Sequence, residues 1–213
     1  MIPRNGLSLC AVAAALVTGL LIQSASAQTI IDEWASVKAP PPPVLKPVTI
    51  DPKTTALLML DFNKQTCNPQ RRPRCIASIP HVKKLLTAAR AAGVPVVYSL
   101  GGGGKPADIA KDLAPTKDEP VVSAGVDKFV GTDLEKILKS KGVKTVITVG
   151  TAAHGAIIYT ASGAAMRGFK VILPVDGMSA DIPYAEQYVA WHLVHAPRIA
   201  TEVTLTKIDD VKF

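Results

Sequence analysis

The sequence predicts an α/β fold, a doubly wound, mostly parallel sheet with helices on both faces in three layers. Three observations carry this. The run Thr145–Val149 is apolar and rich in β-branched residues, as in a strand buried on both faces. Gly150 breaks the run, and a small-residue helix from Ala156 reaches Gly168, which is placed for a left-handed C-cap. A second apolar run, Val171–Val175, then ends on Asp176. Strand, turn, helix and strand in that order form a parallel crossover whose turn lies at the carboxyl end of a central strand, where open α/β sheets bind ligands. The residues of that turn, Thr151–Ala156, are mostly small. A substrate can approach such a backbone, and N–H groups near Gly155 and Ala156 are expected to be free for an anion or oxyanion.

Taken in order, Met1–Ala27 reads as a secretory signal peptide. Arg4 supplies the positive start, Leu7–Ile22 the apolar core and Ala25-Ser26-Ala27 the cleavage site. An uncleaved anchor is the competing reading, disfavoured by the compact core and the Ala-x-Ala site. No second apolar run is long enough to span a bilayer, so the expectation is a periplasmic or secreted protein cut after Ala27 and free of the membrane. Residues 28–213 suit one domain with a substantial core, and they carry +6 because Arg4 is the only charge lost from the overall +7. The lysines are scattered and the aromatics few (4 Tyr, 4 Phe, 2 Trp), which argues against a nucleic-acid partner.

Residues 28–53 read as an arm, because Ala39-Pro40-Pro41-Pro42-Pro43, Pro47 and Pro52 favour extended polyproline geometry. The preceding Ile30–Trp34 is an apolar patch suited to docking on the domain or on a neighbouring subunit, which keeps a homo-oligomer open. The domain, residues 54–213, starts with the strand Thr55–Leu60 ending on Asp61. An acid there is a candidate for acid–base work, or caps a neighbouring turn. The polar loop that follows holds Cys67 and Cys75, the whole mature set once Cys10 is removed. In an oxidising compartment they most simply form a disulfide; a catalytic thiol and a metal site are the weaker readings, the latter for want of nearby histidines.

Pro80–Ala92 reads as an amphipathic helix with Val82, Leu85, Leu86 and Ala89 on one face, stopped by Gly93. Val94–Tyr98 is the next strand. The Gly101–Gly104 run after it lacks the ending of a phosphate-binding P-loop and reads as a lid or surface loop. Val121–Phe129 leads into Thr132-Asp133-Leu134-Glu135, a capping box for a helix burying Leu134, Ile137 and Leu138. Tyr184–His195 is a further helix and Val203–Leu205 a last strand, with Asp176, His192 and His195 taken as structural or surface residues.

The Asp61 strand end, Phe129-Val130-Gly131-Thr132-Asp133-Leu134, and Val149-Gly150 with His154 and Thr160-Ala161 together resemble the isochorismatase-like hydrolases from about Thr55 onward. The resemblance implies a Rossmann-like sheet and a small-molecule substrate. Most members use an Asp–Lys–Cys triad in which the cysteine attacks a carbonyl. Asp61 falls on the family aspartate, but the cysteine position, four residues before Thr160, is Ala156. The family lysine position, six before Phe129, is Ser123, and Lys128 stands in another register. The branch that cleaves a vinyl ether also lacks the cysteine and has an Ala-His pair where Ala153-His154 stands here; it relies on the aspartate as acid, but it keeps its lysine. The Asp-x-His metal cluster of nicotinamidases is missing, since Phe62-Asn63 follows Asp61, so no metal and no cofactor is implied.

The expected function is hydrolysis of a small polar molecule, at a C–N amide-type or vinyl-ether bond, without a covalent cysteine intermediate. Asp61 is the acid or base, and Lys128 or His154 supplies positive charge. Asn63, Ser123, Phe129, Gly155, Ala156 and Tyr159 are candidate substrate-binding residues. For His154 a bond to a backbone carbonyl, for Lys128 a solvated position and for Tyr159 a subunit contact are the competing readings. The competing function is a catalytically silent small-molecule binder on the same fold.

Overall fold

The computed structural model describes residues 29–213, so the signal-peptide reading lies outside the described residues. The described residues fall into two units, divided between Pro40 and Pro41. In the described part of the first, α1 (Ile30–Glu33) starts where the Asp32 carboxylate accepts both the N–H and the hydroxyl of Thr29. Ile30, Ile31 and Trp34 are exposed there.

The second unit opens with β1 (Val48–Thr49) and continues through β2 (Thr55–Leu60), α2 (Pro73–Ala91), β3 (Val96–Leu100), β4 (Val121–Ser123), α3 (Leu134–Ser140) and β5 (Thr145–Thr151). A wide π turn, Ala153–Ile157, leads into α4 (Ile158–Met166). Then come β6 (Lys170–Pro174), β7 (Met178–Ser179), α5 (Pro183–Leu193), β8 (Val203–Thr206) and β9 (Val211–Lys212). The main sheet runs β4-β3-β2-β5-β6-β8, all parallel, with β7 added beside the end of β5. Along β2 the side chains alternate between two cores. Ala56, Leu58 and Leu60 face the one completed by α3, α4 and α5; Leu57 and Met59 face the one completed by α2. That alternation makes the strand uniformly apolar, and each fully buried leucine contributes about 2 kcal/mol.

Several elements differ from the sequence reading. Helix α2 begins at Pro73 and runs through Pro80. Pro73 stands in the first turn, where a missing N–H costs nothing, and Ile76, whose carbonyl loses its partner to Pro80, is 39 % exposed to water. Strand β5 passes through Gly150 to Thr151 rather than stopping there. Glycine is required because φ is 144° and a Cβ would stand 2.1 Å from the Leu60 carbonyl oxygen. The Thr132–Glu135 capping box does not form. The Thr132 hydroxyl donates to the Lys128 carbonyl and accepts the Leu134 N–H, while Glu135 pairs with Lys139 and Arg167. Gly168 does take the left-handed conformation, at φ 84°. Part of the proline-rich segment belongs to the domain, since β1 pairs in parallel with β9 and Ile50 is buried.

Candidate active site

The carboxyl ends of β2, β3 and β5 stand side by side, with Leu60 opposite both Ser99 and Gly150. Asp61 leaves β2 with φ 58°, a left-handed conformation uncommon outside glycine. Its N–H reaches the Ser99 carbonyl at 3.2 Å, and its own carbonyl accepts the Thr66 hydroxyl. The carboxylate is turned inward and is 5 % exposed as a residue. Ser99 donates through Oγ to Oδ1 at 2.6 Å, and Lys128 donates through Nζ to Oδ2 at 2.8 Å.

Lys128 is fully buried. Its ammonium also reaches the carbonyls of Gly125 at 2.7 Å and Ala124 at 3.4 Å, and its backbone N–H bonds Thr160 Oγ1 on α4 at 3.2 Å. A buried ion pair persists only when its remaining hydrogen-bonding capacity is met, and here both carboxylate oxygens and the ammonium protons have partners. Gly101 closes the cage. A Cβ on it would stand 2.5 Å from Asp61 Oδ2, so only glycine lets the backbone pass this close to the acid. The glycine run is therefore a built wall as well as a loop: Gly101 is buried, while Gly102 and Gly103 are exposed.

The other predicted residues take different places. Asn63 does not touch the acid; its amide group donates to the Gly101 carbonyl at 2.9 Å and to Gln65 at 2.7 Å, and its Oδ1 accepts the Gly101 N–H at 3.2 Å. It acts as a staple for the glycine wall. Next to it, Asp108 accepts hydrogen bonds from Lys64, Gln65 and the Lys105 N–H, which hold its carboxyl well below the usual carboxylate range. Phe129 is a core residue, its ring stacked 6.1 Å from that of Phe169 with the Arg167 guanidinium 4.7 Å from its centroid. Ser123 is exposed at the end of β4, opposite Leu100. His154 is exposed, and no hydrogen bond among the described residues joins it to the Asp61–Lys128 pair. Tyr159 is 53 % exposed on α4.

The turn is less open than its small residues suggest. The Gly155 N–H is already taken by the Ala152 carbonyl at 3.0 Å, and the Ala156 side chain packs in the core with Ile157 and Ala161. Cys67 and Cys75 are joined in a disulfide. Among the described residues no group of three or more His, Cys, Asp or Glu is placed to hold a metal ion, and no helix is long and apolar enough to cross a membrane. Ser99 is the site residue that sequence reasoning missed, because a single serine in an apolar strand announces nothing until its neighbour is known.

Fold and site define an α/β protein with a buried carboxylate–ammonium pair at the carboxyl edge of its central strands. The Isochorismatase domain matches residues 55–206, and the chain belongs to the isochorismatase family of hydrolases. A secreted isochorismatase effector of Verticillium dahliae is 31 % identical over 150 residues, covering 64 % of this chain and 79 % of the relative. N-carbamoylsarcosine amidase from an Arthrobacter species is 29 % identical, and the match spans 58 % of this chain and 58 % of that enzyme. The fold is shared with a cysteine hydrolase from Pseudomonas syringae, at TM-score 0.65 and 24 % identity over 79 % of this chain and 94 % of that one. An isochorismatase family protein from Desulfovibrio vulgaris gives TM-score 0.66 and 23 % identity over 74 % and 95 %.

Proposed function

We propose that the protein is an exported hydrolase that cleaves a C–N amide-type or vinyl-ether bond in a small polar molecule without a covalent cysteine intermediate. One observation carries this reading: the buried Asp61–Lys128 pair is in place, at 2.8 Å, while the family's nucleophile position holds Ala156. An acid and an ammonium kept together inside the protein are suited to moving a proton and holding the charge that develops as water attacks. In amide hydrolysis the water oxygen bonds to the carbonyl carbon, the C–N bond breaks and the nitrogen leaves with a proton relayed by Asp61. In vinyl-ether cleavage a proton held by the Asp61–Lys128 pair passes through Asp61 to the alkene carbon. Water adds to the resulting oxocarbenium ion and returns a proton to the pair, and the hemiketal C–O bond then breaks to release an alcohol and a carbonyl product. Lys128 reaches the acid from a position five residues after Ser123, so the charge supplied by the family lysine has a second source. Export is supported by the signal-peptide reading of Met1–Ala27 and by likeness to a secreted relative.

A silent binding protein is the second reading, favoured by the occupied Gly155 N–H and the missing thiol. A screen of carbamoyl, amide and vinyl-ether substrates on purified protein, beside Asp61→Asn, separates the two. Turnover that disappears in the variant is expected; saturable ligand binding with no turnover establishes the binder.

A further inference from the structure

The left-handed backbone at Asp61 needs support, because a non-glycine residue keeps such a conformation only where its surroundings hold it there. One support is the sheet, through the Asp61 N–H on the Ser99 carbonyl. The other comes from outside it. The Thr66 hydroxyl donates to the Asp61 carbonyl and lies 2.9 Å from the Asn63 carbonyl. Thr66 is fastened in turn by Arg72, whose Nη1 donates to the Thr66 carbonyl at 3.0 Å and whose Nε donates to Asp181 Oδ1 at 2.6 Å. The Arg72 side chain is only 7 % exposed, while Asp181 reaches the surface at 42 %, so the fork ties the loop after β2 to the segment after β7 from a buried guanidinium. Arg72 lies within the short loop that the Cys67–Cys75 disulfide closes. Its backbone is pinned at both groups, N–H to Asn68 and carbonyl to Cys75.

We propose that Thr66 and Arg72 are positioning residues for Asp61, held by the Cys67–Cys75 disulfide, and that they keep the acid in the one backbone conformation from which it meets Lys128. No hydrogen bond among the described residues joins either side chain to the carboxylate; Thr66 acts on the Asp61 main chain, and Arg72 acts through Thr66. The disulfide then does more than restrain the unfolded chain, because it fixes the register of a guanidinium that reaches the site through one intervening hydroxyl. The inference rests on Asp61 and Lys128 being the working pair.

Crystal structures and kinetics of Thr66→Val, Thr66→Ser, Arg72→Met and the Cys67→Ser/Cys75→Ser double variant test it, with folding checked by circular dichroism. In the Val, Met and double-Ser proteins Asp61 is expected to leave positive φ and its contact with Lys128 to open beyond hydrogen-bonding range. With a substrate in hand, kcat falls about tenfold or more while KM moves less than about twofold. Thr66→Ser, which restores the hydroxyl, stays near wild type in both readouts. Should Thr66→Val fail to fold, Arg72→Met reads the same link. Positive φ and an intact contact in Thr66→Val and Arg72→Met overturn the proposal; an unchanged site in the cysteine variant alone removes the disulfide from it. The structural readout needs no turnover. An inactive wild type, or activity indifferent to Asp61→Asn, would therefore count against the proposed reaction while leaving this question decided separately.

Discussion

Lys128 Nζ and Asp61 Oδ2 stand 2.8 Å apart, brought together across 67 residues of sequence and both buried, with side chains 1 % and 7 % exposed. Their mutual attraction does not make the pair a stability device. Removing either partner leaves an uncompensated buried charge, whereas removing both leaves only a packing problem. Lys128→Met and Asp61→Leu are each expected to cost about 3–5 kcal/mol, and Asp61→Leu/Lys128→Met clearly less than the sum. Urea unfolding of the four proteins measures the coupling. Additive losses would mean that the two groups are solvated and independent.

Gly101→Ala is expected to fold and to lose function. The new methyl carbon would sit 2.5 Å from Asp61 Oδ2, so the carboxylate must swing away from Lys128. The cost in stability is about 1–3 kcal/mol, the usual range for an overpacked site. A melt within that range, with turnover or ligand binding reduced more than tenfold, fits the wall described above; unchanged function does not.

Ala156→Cys restores the family's nucleophile in name only. Ala156 is 3 % exposed and packed in the core, so the new thiol is expected to react with iodoacetamide more slowly than an exposed cysteine. Adding Ser123→Lys is expected to change this little, because position 123 is exposed and the site already holds Lys128. Rapid labelling of the single variant would show that the turn opens in solution and that its backbone is available to substrate.

Acid lability should be traceable to Glu119. Burial pushes its carboxyl up, but a two-pronged contact from Arg90 and the Thr116 N–H outweigh this and leave it below its ordinary 4.5. A depressed folded value means that the unfolded chain takes up the proton first as pH falls. The stabilisation is thus full above pH 4.5 and lost on acidification through the folded value. Glu119→Gln should lower stability at pH 7 by about 1–3 kcal/mol and flatten its decline below pH 4.5, read from urea midpoints between pH 7 and 3.

The central strands were legible in the sequence because both faces of β2 and β5 are buried, which leaves continuous apolar runs such as Thr55–Leu60. Asp61 was legible for the same reason, as the first charge after such a run. What escaped depends on contacts between distant residues. Ser99 matters only because the parallel register sets it beside Asp61; Lys128 was named from the sequence as a source of positive charge, but its burial against Asp61 and the Gly125 carbonyl is a matter of the fold. Asn63 looked like a ligand-binding side chain and proved to be a staple, since its partner Gly101 lies 38 residues on. Pro80 hid the first two turns of α2, as local propensity knows nothing of a helix face open to water.

The pairing of β1 with β9 has a topological consequence. Val48 lies opposite Val211 and Thr49 opposite Lys212, and the Ile50 N–H is bonded to the Lys212 carbonyl at 2.7 Å. The opening and closing pieces of the unit therefore form a clasp, and its backbone path is nearly a ring. A short linker across that clasp, with new ends cut at the exposed Lys117–Asp118, would give a circular permutant that keeps every strand neighbour of the main sheet. Clipping the last three residues would do the reverse: it would strip β1 of its partner and uncover Ile50, loosening the beginning of the unit by an injury to its end.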